Sequence, residues 1–195
     1  MCSILDILYN QGFPELNTPG QFNGNISSIR WQQKGTPGQR AYGFQYDDLN
    51  QLSEADYIER GSAGWSVNPG HYDENGITYE QNGNILLLSR SGIIGFDQQT
   101  NDPVYGEMDD LEYSYDGNQL KKVDDRINVN IHNNDFRDYS NSEDEYGYDS
   151  NGNLVRDDNK GIIDIVYNFL NLPVEINFGE GEKIQIGRAS CRERV

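Results

Sequence analysis

Apolar and polar residues alternate with period two along much of the chain. Leu111, Tyr113 and Tyr115 fall on one side, with Glu112 and Ser114 on the other. Ile127, Val129 and Ile131 alternate with Asn128, Asn130 and His132. Ile163, Ile165, Tyr167 and Phe169 do the same, followed after a turn by Val174, Ile176 and Phe178. This is the pattern of strands with one buried face. No segment sustains a helical period between caps, so the expected class is all-β. Asn-Gly or Asp-Gly, a strong hairpin signal, occurs at Asn23-Gly24, Asn75-Gly76, Asn82-Gly83, Asp116-Gly117 and Asn151-Gly152. Each is expected to supply the positive-φ pair of a type I′ turn, so that one turn makes one antiparallel hairpin. The acidic stretch from Asp135 to Glu145, preceded by Asn133 and Asn134, reads as a long loop.

The turns belong to a repeat. The last three signals are spaced 34 and 35 residues apart, each inside a similar phrase. Tyr79-Glu80-Gln81-Asn82-Gly83-Asn84-Ile85 aligns with Tyr148-Asp149-Ser150-Asn151-Gly152-Asn153-Leu154, and Tyr115-Asp116-Gly117-Asn118-Gln119-Leu120 is a shortened version. A second phrase, Tyr46-Asp47-Asp48-Leu49-Asn50-Gln51-Leu52, returns as Tyr167-Asn168-Phe169-Leu170-Asn171-Leu172-Pro173. A lone hairpin is unstable in water, so successive hairpins are expected to stack edge to edge.

Composition sharpens this picture. The chain has 22 Asn and 21 Gly against 4 Ala, a vocabulary of turns rather than helices. Thirteen Tyr and 7 Phe supply the buriable surface that a hydrophobic content of 35% otherwise lacks. A formal charge of -17 argues against nucleic acid as a partner. No apolar run approaches the roughly 20 residues of a membrane span, and Met1 to Asn10, with no basic residue, reads as a poor signal peptide. Cys2 and Cys191 do not make a disulfide framework.

The final ten residues, Ile186 to Val195, differ in kind: three Arg, no Asn and no aromatic. They resemble the in-frame translation of a widely used short-read sequencing adapter and are set apart from the fold. Residues 1–185 then form the repeat segment, with 12 basic and 31 acidic side chains and Cys2 as the single cysteine. The expectation is a fragment of a chain that continues beyond Gln185.

The phrase Tyr148-Asp149-Ser150-Asn151-Gly152-Asn153-Leu154, followed by Gly161 and then Val166-Tyr167-Asn168-Phe169-Leu170-Asn171-Leu172, resembles the pattern of YD repeats. These are found in RHS (rearrangement hot spot) proteins, Tc-toxin cocoon subunits and teneurins. Phe44 to Leu52 is another copy, and Asn23-Gly24-Asn25-Ile26 with Ile29 and Trp31 a degenerate one, so the resemblance covers residues 22–178. Glu80 and Asn168 stand where the family has Asp. The resemblance implies a spiral of hairpins walling a hollow shell, in a secreted or cell-surface bacterial polypeptide. Its partners would be the rest of the same polypeptide: further repeats, a core end and a C-terminal toxin. The family's Asp-Pro-rich self-cleaving core end has no match, since Asp102-Pro103 continues as Val104-Tyr105-Gly106. The expected role is non-enzymatic. The alternative is an extracellular adhesin or glycan-binding module, with Trp31 and Trp65 as stacking platforms.

Candidate chemistry is sparse. His71 and His132 have no second His or Cys at ligand spacing, so both read as surface histidines. Gly61-Ser62-Ala63-Gly64 is not a nucleophile elbow, and Cys2 has no identified base. Asp149-x-Asn151-x-Asn153 imitates the opening of a calcium loop, but Lys160 stands where a bidentate Glu is required. These side chains are expected to bond local backbone instead. Gly179-Glu180-Gly181 is too short and acidic for a phosphate loop. No catalytic residue, cofactor or metal is expected, and the repeat tyrosines are read as inter-strand packing.

Overall fold

A computed structural model describes residues 4–67, 70–127, 136–140 and 142–187. The alternation from Asn128 to His132, both cysteines and the last eight residues lie outside them. Within the described residues the chain is all-β, with two 3-10 turns, Pro14–Leu16 and Gly179–Gly181. It divides into two compact units: Met1–Glu112 with Asp125–Phe136, and Tyr113–Asp124 with Arg137–Val195.

The first unit contains β1 (Ile4–Leu8), β2 (Ser28–Gln32), β3 (Gln39–Tyr46), β4 (Leu52–Gly61), β5 (Gly64–Val67), β6 (Glu74–Tyr79), β7 (Ile85–Phe96) and most of β8 (Pro103–Asp116). Neighbours run in the order β1-β2-β3-β4-β6-β7-β8. β5 and β6 share one edge of β4: β5 pairs with Ile58 to Gly61, and β6 meets Ala55. Alternation decides what each face buries. Ala41 and Ile58, both fully buried, pack with Phe13 on one face, where Leu16 and Trp65 close over them. On the other face Trp31, Tyr42, Phe44 and Tyr57 form a run of ring contacts. The strands here are therefore covered on both sides.

The second unit holds the end of β8, all but the last residue of β9 (Gln119–Asp125), and a five-stranded antiparallel sheet. That sheet follows chain order: β10 (Tyr146–Tyr148), β11 (Leu154–Asp157), β12 (Ile162–Tyr167), β13 (Pro173–Phe178) and β14 (Lys183–Gln185).

The repeat phrases do sit at hairpin tips, but their turns are not type I′. In the loop Asp149 to Asn153, Gly152 N–H donates to Asp149 O (3.0 Å), and Asp149 N–H donates to Asn153 O (2.9 Å). Only Gly152 has positive φ, at 83°. This is a three-residue loop: a type I turn followed by one left-handed residue, which makes a G1 bulge. The same pair of bonds closes Glu80 to Asn84, Asp47 to Gln51 and Asn168 to Leu172. The left-handed residue is Gly83 in the first of these, and Asn50 and Asn171 in the others, at φ 64° and 56°. The asparagine preceding each glycine stays at negative φ, which is why the expected pair is half present. Asp116-Gly117 differs again, with Gly117-Asn118 as a two-residue loop between β8 and β9. Asn75-Gly76 is no turn at all: Gly76 (φ 62°) lies within β6, where the register slips between Asn75 and Thr78.

Asn50 and Asn171 show which residue can stand in for Gly152. Gly152→Asn should leave stability nearly unchanged, because a short polar side chain tolerates this backbone region. Gly152→Ala should lower it by about 1 kcal/mol. Urea unfolding of the two variants separates these outcomes.

The burial phase follows the expected alternation in β8, where Leu111 is buried and Glu112 and Ser114 are exposed. In β12 it does not. A bulge between Ile162 and Asp164 resets the phase, leaving Ile163 62% exposed while Ile165 is buried. Phe169, expected to continue the strand, sits in the turn at 90% exposure.

Candidate functional site

The repeated tyrosines are placed by a shared device. A register shift falls just before Tyr46, Tyr79, Tyr148 and Tyr167. Such a bulge re-aims the side chain that follows it. Three of these residues pair with the apolar residue ending their own phrase: Tyr46 with Leu52, Tyr79 with Ile85 and Tyr148 with Leu154. Their hydroxyls reach elsewhere. Tyr46 donates to Ile26 O and Tyr79 to Leu52 O, each at 2.8 Å. In the second unit Tyr148 donates to Leu120 O (3.0 Å) and Tyr167 to Leu154 O (2.7 Å). Every acceptor is the Ile or Leu that closes the preceding phrase. At these four tyrosines a phenol–carbonyl bond thus pins one phrase to the phrase before it.

The turns are tied in the same sense. Asp47 Oδ1 accepts the N–H groups of Leu49 and Gln51, both at 2.8 Å. Asp149 Oδ1 accepts those of Asn151 and Asn153, both at 2.9 Å, and Asn168 serves Leu170 and Leu172 likewise. This explains why Asn can replace Asp in the phrase: only one side-chain oxygen is needed. Successive tips then touch. Asn23 donates its amide to Asn50 Oδ1, and Asn153 donates to Asn171 Oδ1 at 3.1 Å. Asp149 Oδ2 accepts the Asn153 amide as well, at 2.9 Å. The Asn153 side chain and the turn N–H groups hold its carboxyl below the ordinary value.

A third set of contacts was not legible beforehand. Where one strand outruns its partner, a carboxylate accepts the exposed backbone N–H. Asp73 takes Tyr57 N–H (2.8 Å) and Gly70 N–H (2.7 Å). Asp125 takes those of Asp110 (3.1 Å) and Ile127 (3.0 Å). Fully buried Glu145 takes Val123 N–H at 3.1 Å and the Asn159 amide at 2.8 Å. Asn159 Oδ1 in turn accepts Tyr139 and Ser140 N–H, both at 3.0 Å. The described residues of the expected acidic loop, 136–140 and 142–145, hold no strand and are pinned at this buried node. Burial raises the Glu145 carboxyl above its ordinary value. Asp109, also fully buried, accepts two bonds from Arg90 and one from Phe136 N–H. The one available signal was Asp109 in phase with Leu111 and Tyr113 on the buried face of β8.

The remaining candidates are engaged structurally. Trp31 stacks on Tyr42 at 5.7 Å, and Trp65 meets Phe13 edge-on at 5.1 Å beneath Arg60. His71, expected at the free surface, stacks on Tyr105 at 3.7 Å and is half-buried. Ser62 is exposed in the β4–β5 turn. Among the described residues, no group of three or more His, Cys, Asp or Glu is arranged to hold a metal ion. Nor is any helix among them long and apolar enough to cross a membrane. Open cavities among the described residues offer no enclosed site either. One of about 500 Å³ lies by Arg40, Glu59 and Arg60, and one of about 380 Å³ by Lys121, Asp144 and Arg156. Their charged groups are largely paired: Arg40 with Glu59 at 3.3 Å, Lys121 with Asp144 at 2.7 Å.

The half-buried phenols make alkaline stability a measure of this packing. Burial, with Glu74 and Asp73 nearby, pushes Tyr42 up to about 12. Burial and the Tyr72 hydroxyl do the same for Tyr105, and burial does so for Tyr146, again to about 12. Raised phenol values favour the folded state while the phenols stay protonated. Their contribution is complete below the ordinary value of 10.0 and is lost as pH climbs through about 12. Titration by tyrosinate absorbance should show these phenols ionising together with unfolding. A smooth titration near 10.0 with the fold intact would contradict this. No protein-family model matches the chain, and no curated protein matches it.

Proposed function

We propose that this chain is a non-enzymatic wall segment of a YD-repeat (RHS) shell, part of a large secreted or cell-surface bacterial polypeptide. The shell would enclose or present a C-terminal toxin carried elsewhere in the same polypeptide. The observation that carries this reading is the recurring phenol–carbonyl bond between successive phrases, seen at Tyr46, Tyr79, Tyr148 and Tyr167. A device that joins each hairpin to the one before it suits a wall of indefinite length. It does not by itself build a reaction centre. The carboxylate caps support the same reading, because they satisfy backbone groups wherever strands of unequal length meet. The polar turn tips, with Asn and Asp already committed to local bonds, suit a solvated rim.

Electron microscopy of the full-length polypeptide carrying these repeats tests the proposal. Closed hollow particles with a protease-protected internal segment are expected. Solid or fibrous particles with no enclosed segment would overturn it. Glycan binding by such particles, lost in Trp31→Ala, would favour the adhesin instead.

A further inference from the structure

Four Asn-Gly dipeptides that look alike in sequence differ in chemistry once folded. At Asn82-Gly83 and Asn151-Gly152 the glycine N–H closes the type I turn, donating to Glu80 O at 2.9 Å and to Asp149 O at 3.0 Å. Asn75-Gly76 lies inside β6, with Asn75 held in register against Ser89. Asn23-Gly24 is different. Gly24 N–H donates to no group among the described residues, and Gly24 stands at φ 97° in open space. Asn23 is exposed, and its Oδ1 accepts the N–H of Asn25 at 3.0 Å.

We propose that Asn23 is a site of spontaneous succinimide formation and deamidation, and that the folded turns protect Asn82 and Asn151. The Gly24 nitrogen gives up its proton to solvent base and attacks Asn23 Cγ, forming a C–N bond. The Cγ–Nδ2 bond then breaks, and ammonia leaves with a proton taken from water. Water reopens the ring at either carbonyl, giving aspartate or isoaspartate. No net oxidation or reduction occurs. The Asn25 N–H already touches the oxygen on which negative charge develops during attack, and so stabilises that step. Glycine offers no Cβ to hinder it. Where the N–H is a hydrogen-bond donor, that bond must first be broken. The product matters for the turn column: the Asn23 amide that donates to Asn50 becomes a carboxylate, in front of a turn that also holds Asp47 and Asp48.

Peptide mapping by mass spectrometry, after incubating the whole chain in mildly alkaline buffer, measures all the sites at once. Conversion at Asn23 should run about fivefold faster than at Asn82 and Asn151, the factor expected for one protecting hydrogen bond. In denaturant the rates should converge. Asp149→Ala, which loosens the second protected turn, should speed Asn151 without altering Asn23. Equal rates in the folded protein, faster conversion at Asn82 or Asn151, or a difference that survives denaturation would each overturn the proposal.

Discussion

Asp109→Ala should lower the stability of the first unit by about 3 kcal/mol, the lower end of the range for breaking a buried ion pair. The carboxylate is fully buried, and its loss frees two kinds of donor: the Arg90 guanidinium and the Phe136 N–H. The lower end applies because Arg90 keeps 33% side-chain exposure and can turn back to water. Asp109→Asn keeps one acceptor oxygen but places an amide donor towards the guanidinium, so it should recover only part of the loss. Both tryptophans lie in this unit. Urea unfolding followed by tryptophan fluorescence therefore reports it without contribution from the other. A midpoint unchanged in Asp109→Ala would show that the pair contributes nothing to folding.

Ile58→Ala should have an effect of similar size, about 3 kcal/mol, through a different cause. Ile58 is fully buried and packs with Ala41 and Phe13, in a core too small to collapse around a lost side chain. The matched comparison is Ile163→Ala. That residue is equally apolar but 62% exposed, and the change should stay within about 0.5 kcal/mol. Similar effects at both positions, each measured by chemical denaturation, would mean that the bulge in β12 does not set the burial phase.

The sequence carried the class and the repeat because both rest on local rules. Period two predicts strands, and Asn-Gly predicts their turns. What it did not carry depends on one-residue differences that periodicity cannot register. The bulge before each repeat tyrosine, and the one between Ile162 and Asp164, shift the phase by a single position. The type I turn with one left-handed residue was hidden because Asn-Gly suits both turn families. Asn50 and Asn171, which hold that backbone position without glycine, were the readable clue. Asp109 and Glu145 were illegible for another reason. In a chain with 32 acidic residues, the phase of Asp109 with Leu111 is the one local mark of a carboxylate destined to be buried, and Glu145 carries none. The repeat tyrosines read from the sequence as inter-strand packing, and the destination of their hydroxyls follows only from three dimensions.

Each hairpin is a separate module, and the tyrosine bonds join one module to the next. Native-state hydrogen exchange of Tyr148→Phe tests this most directly, since Tyr148 Oη reaches Leu120 O across such a joint. Glu145 N–H, bonded to Lys121 O, and Val123 N–H, bonded to the Glu145 carboxylate, report on that joint. Their exchange should quicken about fivefold, the loss expected for one hydrogen bond. Amides pairing β12 with β13 should keep their protection. Uniform loss of protection across the second unit, or no change at Glu145 and Val123, would contradict the account.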